Sequence, residues 1–269
     1  MALHWSCCVV REDASTMVED EADVVRSTAS VGKLFLLCEA AEQITEGRLD
    51  PHTLLIKDPA VAATGSGLWQ YLAQESLPLI DVCILIASVS DNWATNVLLD
   101  RIGLPSVQAR AIALDCDHSR LHDYVRDHRG HGDVPLLSSG TARELALVAR
   151  RIHLAAAGIT VDGISRPAAA LVVQWLRTGV DLSLVAMPLR LDPLEHVDGP
   201  RLLWNKTGSD VDVRADVGVV WQGDRFLAYA AIATWDPDDE VLDEPFAPMH
   251  ALGHALRQAQ GTDVTPRES

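Results

Sequence analysis

The sequence predicts an α/β (α+β) fold: a five-stranded antiparallel sheet flanked by helices, with an all-helical lobe inserted into it. Three observations carry this. Residues 4–11 and 18–25 near the start, and 202–207, 215–221 and 226–234 near the end, have the apolar and β-branched character of strands. Nearly everything between them has helical periodicity. No repeat and no Gly/Ser/Pro-rich linker divides the chain, so strands from both ends must share one sheet. The 269 residues are expected to form one domain in two lobes, with residues 1–50 and 195–262 in the sheet lobe and 51–194 in the helical lobe.

Taken in order, residues 4–11 form the first strand, Asp13-Ala14-Ser15 is a turn, and 18–25 returns as the second strand. From Ser30 to about Glu46 the apolar residues Val31, Leu34, Phe35, Leu36, Leu37, Ala40, Ala41 and Ile44 wrap most of a helix, which predicts a buried central helix stopped by Gly47. A glycine-containing loop, Thr64-Gly65-Ser66-Gly67, precedes a second apolar helix over 79–88. Ser90-Asp91-Asn92 leads into a helix over 93–102 that ends at Gly103, and 105–114 is helical as well. Residues 115–140 are polar, without a period, and long for a loop. Ser139 or Thr141 caps a helix to about Ala157, another runs over 166–178, Gln222-Gly223-Asp224 turns between the last two strands, and a helix over 245–259 closes the domain.

Composition narrows the function. The net charge of −16 repels phosphates and argues against nucleic acid as a partner. No apolar run is long enough to cross a bilayer. The chain as given has no leader pattern and reads as cytoplasmic, unless a leader was removed before its first residue. The five cysteines are odd in number and lack metal-type spacing, so they are expected to be reduced core residues, and no metal or cofactor is expected. Of 22 basic residues, only Lys33, Lys57 and Lys206 are lysines. Arginine cannot serve as a base, whereas a desolvated lysine can.

Two of these lysines lie in motifs. Ser30-Val31-Gly32-Lys33 places a hydroxyl and an amine on one face of the buried helix, beside free backbone N–H groups at a helix start. Ser90-Asp91-Asn92 joins two helices, and Lys206-Thr207-Gly208 lies on a strand of the terminal sheet. Each has an ordinary structural role available: a cap for Ser30 and Asn92, a solvated charge for Lys33 and Lys206, a cross-strand ion pair for Arg214.

Together and in this order the three motifs resemble those of serine β-lactamases and penicillin-binding proteins, most closely the class A branch, over residues 5–259. The resemblance implies a serine acyl hydrolase. Ser30 would be the acylated nucleophile, Lys33 its proton acceptor, and Ser90 the proton donor to the leaving nitrogen. Asn92, Thr207, Gly208 and Ser209 would hold substrate, Lys206 would orient Ser90, and the backbone N–H groups of Ser30 and Ser209 would form the oxyanion hole. Arg214 would bind a substrate carboxylate. The implied partner is a small molecule with an amide or ester carbonyl: a β-lactam, or a non-β-lactam substrate of an esterase, amidase or peptidase. A binding or sensor module with slow or no deacylation is the other class.

The chain departs from the class A pattern in two places. Residues 115–140 contain no glutamate, and the place of the water-activating glutamate falls near Val125. Asp123, Asp127, His128, His131 and Asp133 are the acids and imidazoles available there. The first strand also begins almost at Met1, so the helix that class A enzymes pack beside the C-terminal one is expected to be missing or to have lain in a removed segment; missing cover would leave part of one sheet face open to oligomerisation.

Overall fold

The computed structural model describes residues 3–194, 202–223, 225–236 and 245–261. In chain order the elements are β1 (His4–Arg11), β2 (Thr16–Asp20), β3 (Arg26–Ser27), α1 (Lys33–Thr45), β4 (Leu54–Ile56), β5 (Ser76–Pro78), α2 (Leu79–Val89) and α3 (Asn92–Ile102). There follow α4 (Leu104–Ala113), β6 (Arg120–Leu121), β7 (Ser138–Gly140), α5 (Ala142–Ala156), α6 (Arg166–Leu176), β8 (Leu202–Asp210), β9 (Val213–Gln222), β10 (Arg225–Thr234) and α7 (Phe246–Gly261).

Five strands form one antiparallel sheet in the order β2-β1-β10-β9-β8, so the two ends of the chain meet in its middle. Successive side chains on a strand face opposite ways. Cys7 and Val9 therefore enter one core, with Leu203, Val220, Tyr229 and α7 residues Met249 and Leu256, while Cys8 and Val10 enter the other, with Val217, Val219 and the helices. Strands covered on both faces read as continuous apolar runs. All five cysteines are free and buried, as expected.

Helix α1 lies in the second core. Leu34, Leu36 and Leu37 are fully buried, each worth about 1.5–3 kcal/mol relative to exposure. The all-round apolar pattern of this stretch is the sequence signature of that position. Its entry is not a simple helix start at Ser30: residues Ala29–Gly32 form a 3₁₀ turn that runs into α1 at Lys33. The second strand is also shorter than the pattern over 18–25 suggests. It ends at Asp20, Glu21 takes a positive φ of 39°, and Arg26–Ser27 pairs instead with β7. The cap of α5 is Thr141, whose Oγ1 accepts from Glu144 N; Ser139 lies in β7. Asp224 lies outside the described residues.

Candidate active site

The Ser30 turn is held from both sides. Ala29 has φ of 45°, a left-handed conformation costly for a residue with a Cβ. Its carbonyl accepts from Ser138 Oγ at 2.5 Å, and Ser138 Oγ also meets Thr28 Oγ1 at 2.6 Å. From the sheet side, Gly208 presses against the same turn: a Cβ there would lie 2.3 Å from Thr28 O and 2.9 Å from Ser30 N. Only glycine lets β8 approach the serine's backbone this closely.

Lys33 is fully buried on α1. Its Nζ donates to Ser90 O at 2.7 Å and Asn92 Oδ1 at 2.7 Å, with Ser90 Oγ at 3.3 Å. Burial, with the Lys206 charge beside it, holds this amine well below the ordinary lysine range, against the opposing pull of Asp91. Lys206 comes from β8; its Nζ donates to Ser90 Oγ at 3.0 Å and to Thr207 O at 2.7 Å. Burial brings it down to about 8, against the nearby charges of Asp181 and Asp216. Ser90 itself ends α2 in a left-handed conformation, φ 55°, which turns its hydroxyl between the two amines.

The middle residue of that motif is structural. Asp91 caps α3, with Oδ1 accepting from Ala94 N at 2.9 Å, and its Oδ2 accepts from Trp69 N at 2.7 Å. Asn92 donates from Nδ2 to Thr64 O at 2.6 Å, which fixes its amide so that Oδ1 faces Lys33. Thr64 is in turn held by Asp127, which accepts from its N at 2.7 Å and its Oγ1 at 3.0 Å.

Ser30, Ser90, Lys206, Thr207 and Ser209 line one open cleft of about 410 Å³, with Gly179-Val180-Asp181 as a further part of its wall. That wall is tied to α2 by Val180 N donating to Ser88 O. Arg214 pairs with Ser209 across the sheet, but its Nη1 donates to Asp210 O at 2.6 Å and Val213 O at 2.7 Å, and its guanidinium lies over Trp235. Lys57 stands apart, over the Trp93 ring with Nζ bonded to Leu72 O. Trp69 is packed in the core and Tyr71 is exposed on the surface.

The acids and imidazoles of the loop between β6 and β7 are engaged elsewhere or exposed. Among the described residues, none of those lining the cleft comes from 115–140. Asp123 is paired with Arg126 and Arg129, Asp133 accepts from Gly130 N, His122 contacts Ser139 Oγ, and His128 and His131 are exposed. Asn96 clamps the stretch by bonding both backbone groups of Val125. The bracing roles of Thr64, Asn96, Asp127 and Ser138 were not read from the sequence, where Thr64 was placed only in a loop and Asp127 only among the candidate bases. Their roles arise from contacts 28 or more residues apart in the chain.

A family model described as the beta-lactamase enzyme family matches residues 4–247. The chain belongs to that family. Among solved structures, a beta-lactamase from Sphaerobacter thermophilus is 21% identical with a TM-score of 0.82, covering 96% of this chain and 92% of that one. A class A beta-lactamase from Mycobacterium abscessus is 15% identical with a TM-score of 0.77, over 95% and 93%. A mutant of PBP-A, solved as an acyl-enzyme complex with penicillin G, is 19% identical with a TM-score of 0.78, over 96% and 90%. No curated protein sequence matches the chain. Together with the five-stranded sheet and its helices, these likenesses establish the beta-lactamase fold for this family member.

Proposed function

We propose that this family member is a serine acyl hydrolase that forms an acyl-enzyme on Ser30 from a small amide or ester, β-lactams included, and releases it slowly when the acyl group comes from a β-lactam. The observation that carries the reading is the hydroxyl of Ser90 standing 3.3 Å from Lys33 Nζ and 3.0 Å from Lys206 Nζ, in the wall of the cleft that Ser30 lines. A depressed amine is a base, and a cationic amine beyond a bridging hydroxyl is a proton source.

In the proposed cycle Lys33 takes the Ser30 proton as Oγ bonds to the substrate carbonyl carbon. The oxyanion is held by the N–H groups of Ser30 and Ser209. The carbonyl's bond to the leaving nitrogen or oxygen breaks, and that atom takes the Ser90 proton, which is replaced from Lys206 or Lys33. Asn92, Thr207 and Gly208 position the substrate. Water then attacks the ester, giving back Ser30 and a carboxylic acid. Slow release follows from the loop, where the acids are bonded to Arg126, Arg129, Thr64 and Gly130. The acyl-enzyme of the PBP-A mutant supports penicillins as acylating probes.

The test is intact-mass analysis after mixing with penicillin G, beside a nitrophenyl ester assay, for the wild type and Ser30→Ala. A lasting adduct and ester turnover, both lost in Ser30→Ala, are expected. Fast penicillin turnover without an adduct would remove slow deacylation from the reading. No adduct and no Ser30-dependent turnover would remove the hydrolase itself.

A further inference from the structure

Two apolar side chains of the cleft stand in water. Leu68 is 48% exposed and Val180 is 39% exposed, and both residues line the cleft. Apolar side chains left exposed around a concave site are where the apolar part of a ligand gains most by binding. The polar residues beside them are spent on the protein itself. Ser66 Oγ donates to Val89 O at 2.8 Å, Ser88 Oγ pairs with Thr178 Oγ1, and Asn205 Nδ2 is shared between Asp181 O and Asp216 Oδ1.

Both side chains belong to segments fastened to the residues around Ser90. Val180 N donates to Ser88 O at 3.0 Å. Leu68 lies between Gly67 and Trp69, and both of these close on Asp91: a Cβ on Gly67 would lie 2.3 Å from Asp91 Cγ, and Trp69 N donates to Asp91 Oδ2 at 2.7 Å. Ser66 adds a third tie, its carbonyl accepting from Asn92 N at 3.0 Å. Val180 is thus anchored just before Ser90 in the chain and Leu68 just after it. In the proposed cycle the leaving atom takes its proton from Ser90 Oγ, and whatever that atom carries begins in the part of the cleft that these two residues flank.

Resting on the hydrolase reading above, we propose that Leu68 and Val180 form a subsite for the leaving group, and that the substrate class is an amide or ester whose leaving nitrogen or oxygen bears an alkyl or other apolar group. Penicillins fall in this class, because their leaving nitrogen belongs to a ring with a dimethyl-substituted carbon.

The test uses the phenylacetate esters of ethanol, n-butanol, n-hexanol and 4-methoxybutanol. They share one acyl group and have alcohols of similar acidity, and the last matches hexanol in length with an ether oxygen in the chain. Released phenylacetate is measured by chromatography for the wild type, Ser30→Ala and the double variant Leu68→Ser/Val180→Ser. In the wild type kcat/KM is expected to rise from ethyl to butyl to hexyl, about tenfold or more over the series, with the methoxybutyl ester at least about threefold below hexyl. The hexyl-to-ethyl ratio should fall to within about twofold of one in the double variant and persist in Leu68→Met/Val180→Ile. If the serine variant does not fold, the wild-type series decides alone. Ser30-dependent release that ignores alcohol length, a methoxybutyl ester as good as hexyl, or a hexyl preference unchanged in the folded serine variant overturns the inference and leaves the hydrolase reading standing. No Ser30-dependent release from any of the esters overturns both.

Discussion

Lys33 Nζ meets Asn92 Oδ1 at 2.7 Å, and its other hydrogen-bond partners are the backbone oxygen and hydroxyl of Ser90, so its contact shell holds no carboxylate. A neutral amine has two N–H donors, and two oxygens at 2.7 Å take both. Its lone pair is then left for the hydroxyls of the site. Converting Lys33 to Met, which fills similar volume without a base, should slow adduct formation by roughly 10²–10⁴-fold, read by time-resolved intact mass. A loss under threefold would assign the base elsewhere.

The two amines should give a bell-shaped pH profile. In the proposed cycle Lys33 works deprotonated, so acylation should rise with pH through its depressed pKa. Lys206 in that cycle works protonated, so activity should fall as pH passes about 8. Lys206→Arg keeps the charge at all accessible pH, and whatever rate it retains should lose the alkaline limb. The measurement is kcat/KM against pH for both proteins; an alkaline limb at the same pH in Lys206→Arg would contradict the assignment.

Gly208 is a steric requirement of the site. A Cβ 2.3 Å from Thr28 O must push β8 off the Ser30 turn. Gly208→Ala should cost about 1–3 kcal/mol of stability and at least roughly a hundredfold in acylation, because the Ser30 and Ser209 N–H groups separate. Thermal melts beside adduct kinetics would check this, and wild-type acylation would refute it.

Asp216 titrates on the far face of the sheet. It accepts from Asn205 Nδ2, Tyr229 OH and Val185 N, yet burial outweighs these donors and raises it from 3.8 to about 7. Its pKa is higher in the folded than in the unfolded chain, so its contribution is full below pH 3.8 and is lost as pH rises to about 7. Asp216→Asn removes that slope. Urea melts at pH 5 and pH 8 should show the variant gaining on the wild type at the higher pH; an equal difference at both would exclude the titration.

The sheet was legible because strands covered on both faces leave uninterrupted apolar runs, and α1 because its apolar residues wrap all sides. Lys33 and Lys206 stood out through the scarcity of lysine. The turn at Ala29–Gly32 was not legible, since its shape is imposed by Ser138 and Gly208, which are distant in sequence. The same holds for the strand read over 18–25, which a positive φ at Glu21 cuts short. Arg214 was read from its spacing to Lys206, but its guanidinium is directed by the carbonyls of its own hairpin turn. The acids of the 115–140 loop were visible as residues, whereas their arginine and backbone partners were visible only in three dimensions.

The grip on residues 28–32 reaches beyond chemistry. Ser138 holds the turn from one side and Gly208 from the other, while Lys33, one residue on, is bonded to the junction of α2 and α3. The segment that carries the proposed nucleophile is thereby the place where the sheet and the helices are fastened together. Acylation competence and the tertiary fold should then disappear in a single cooperative transition, with no denaturant concentration at which a folded but inert form accumulates.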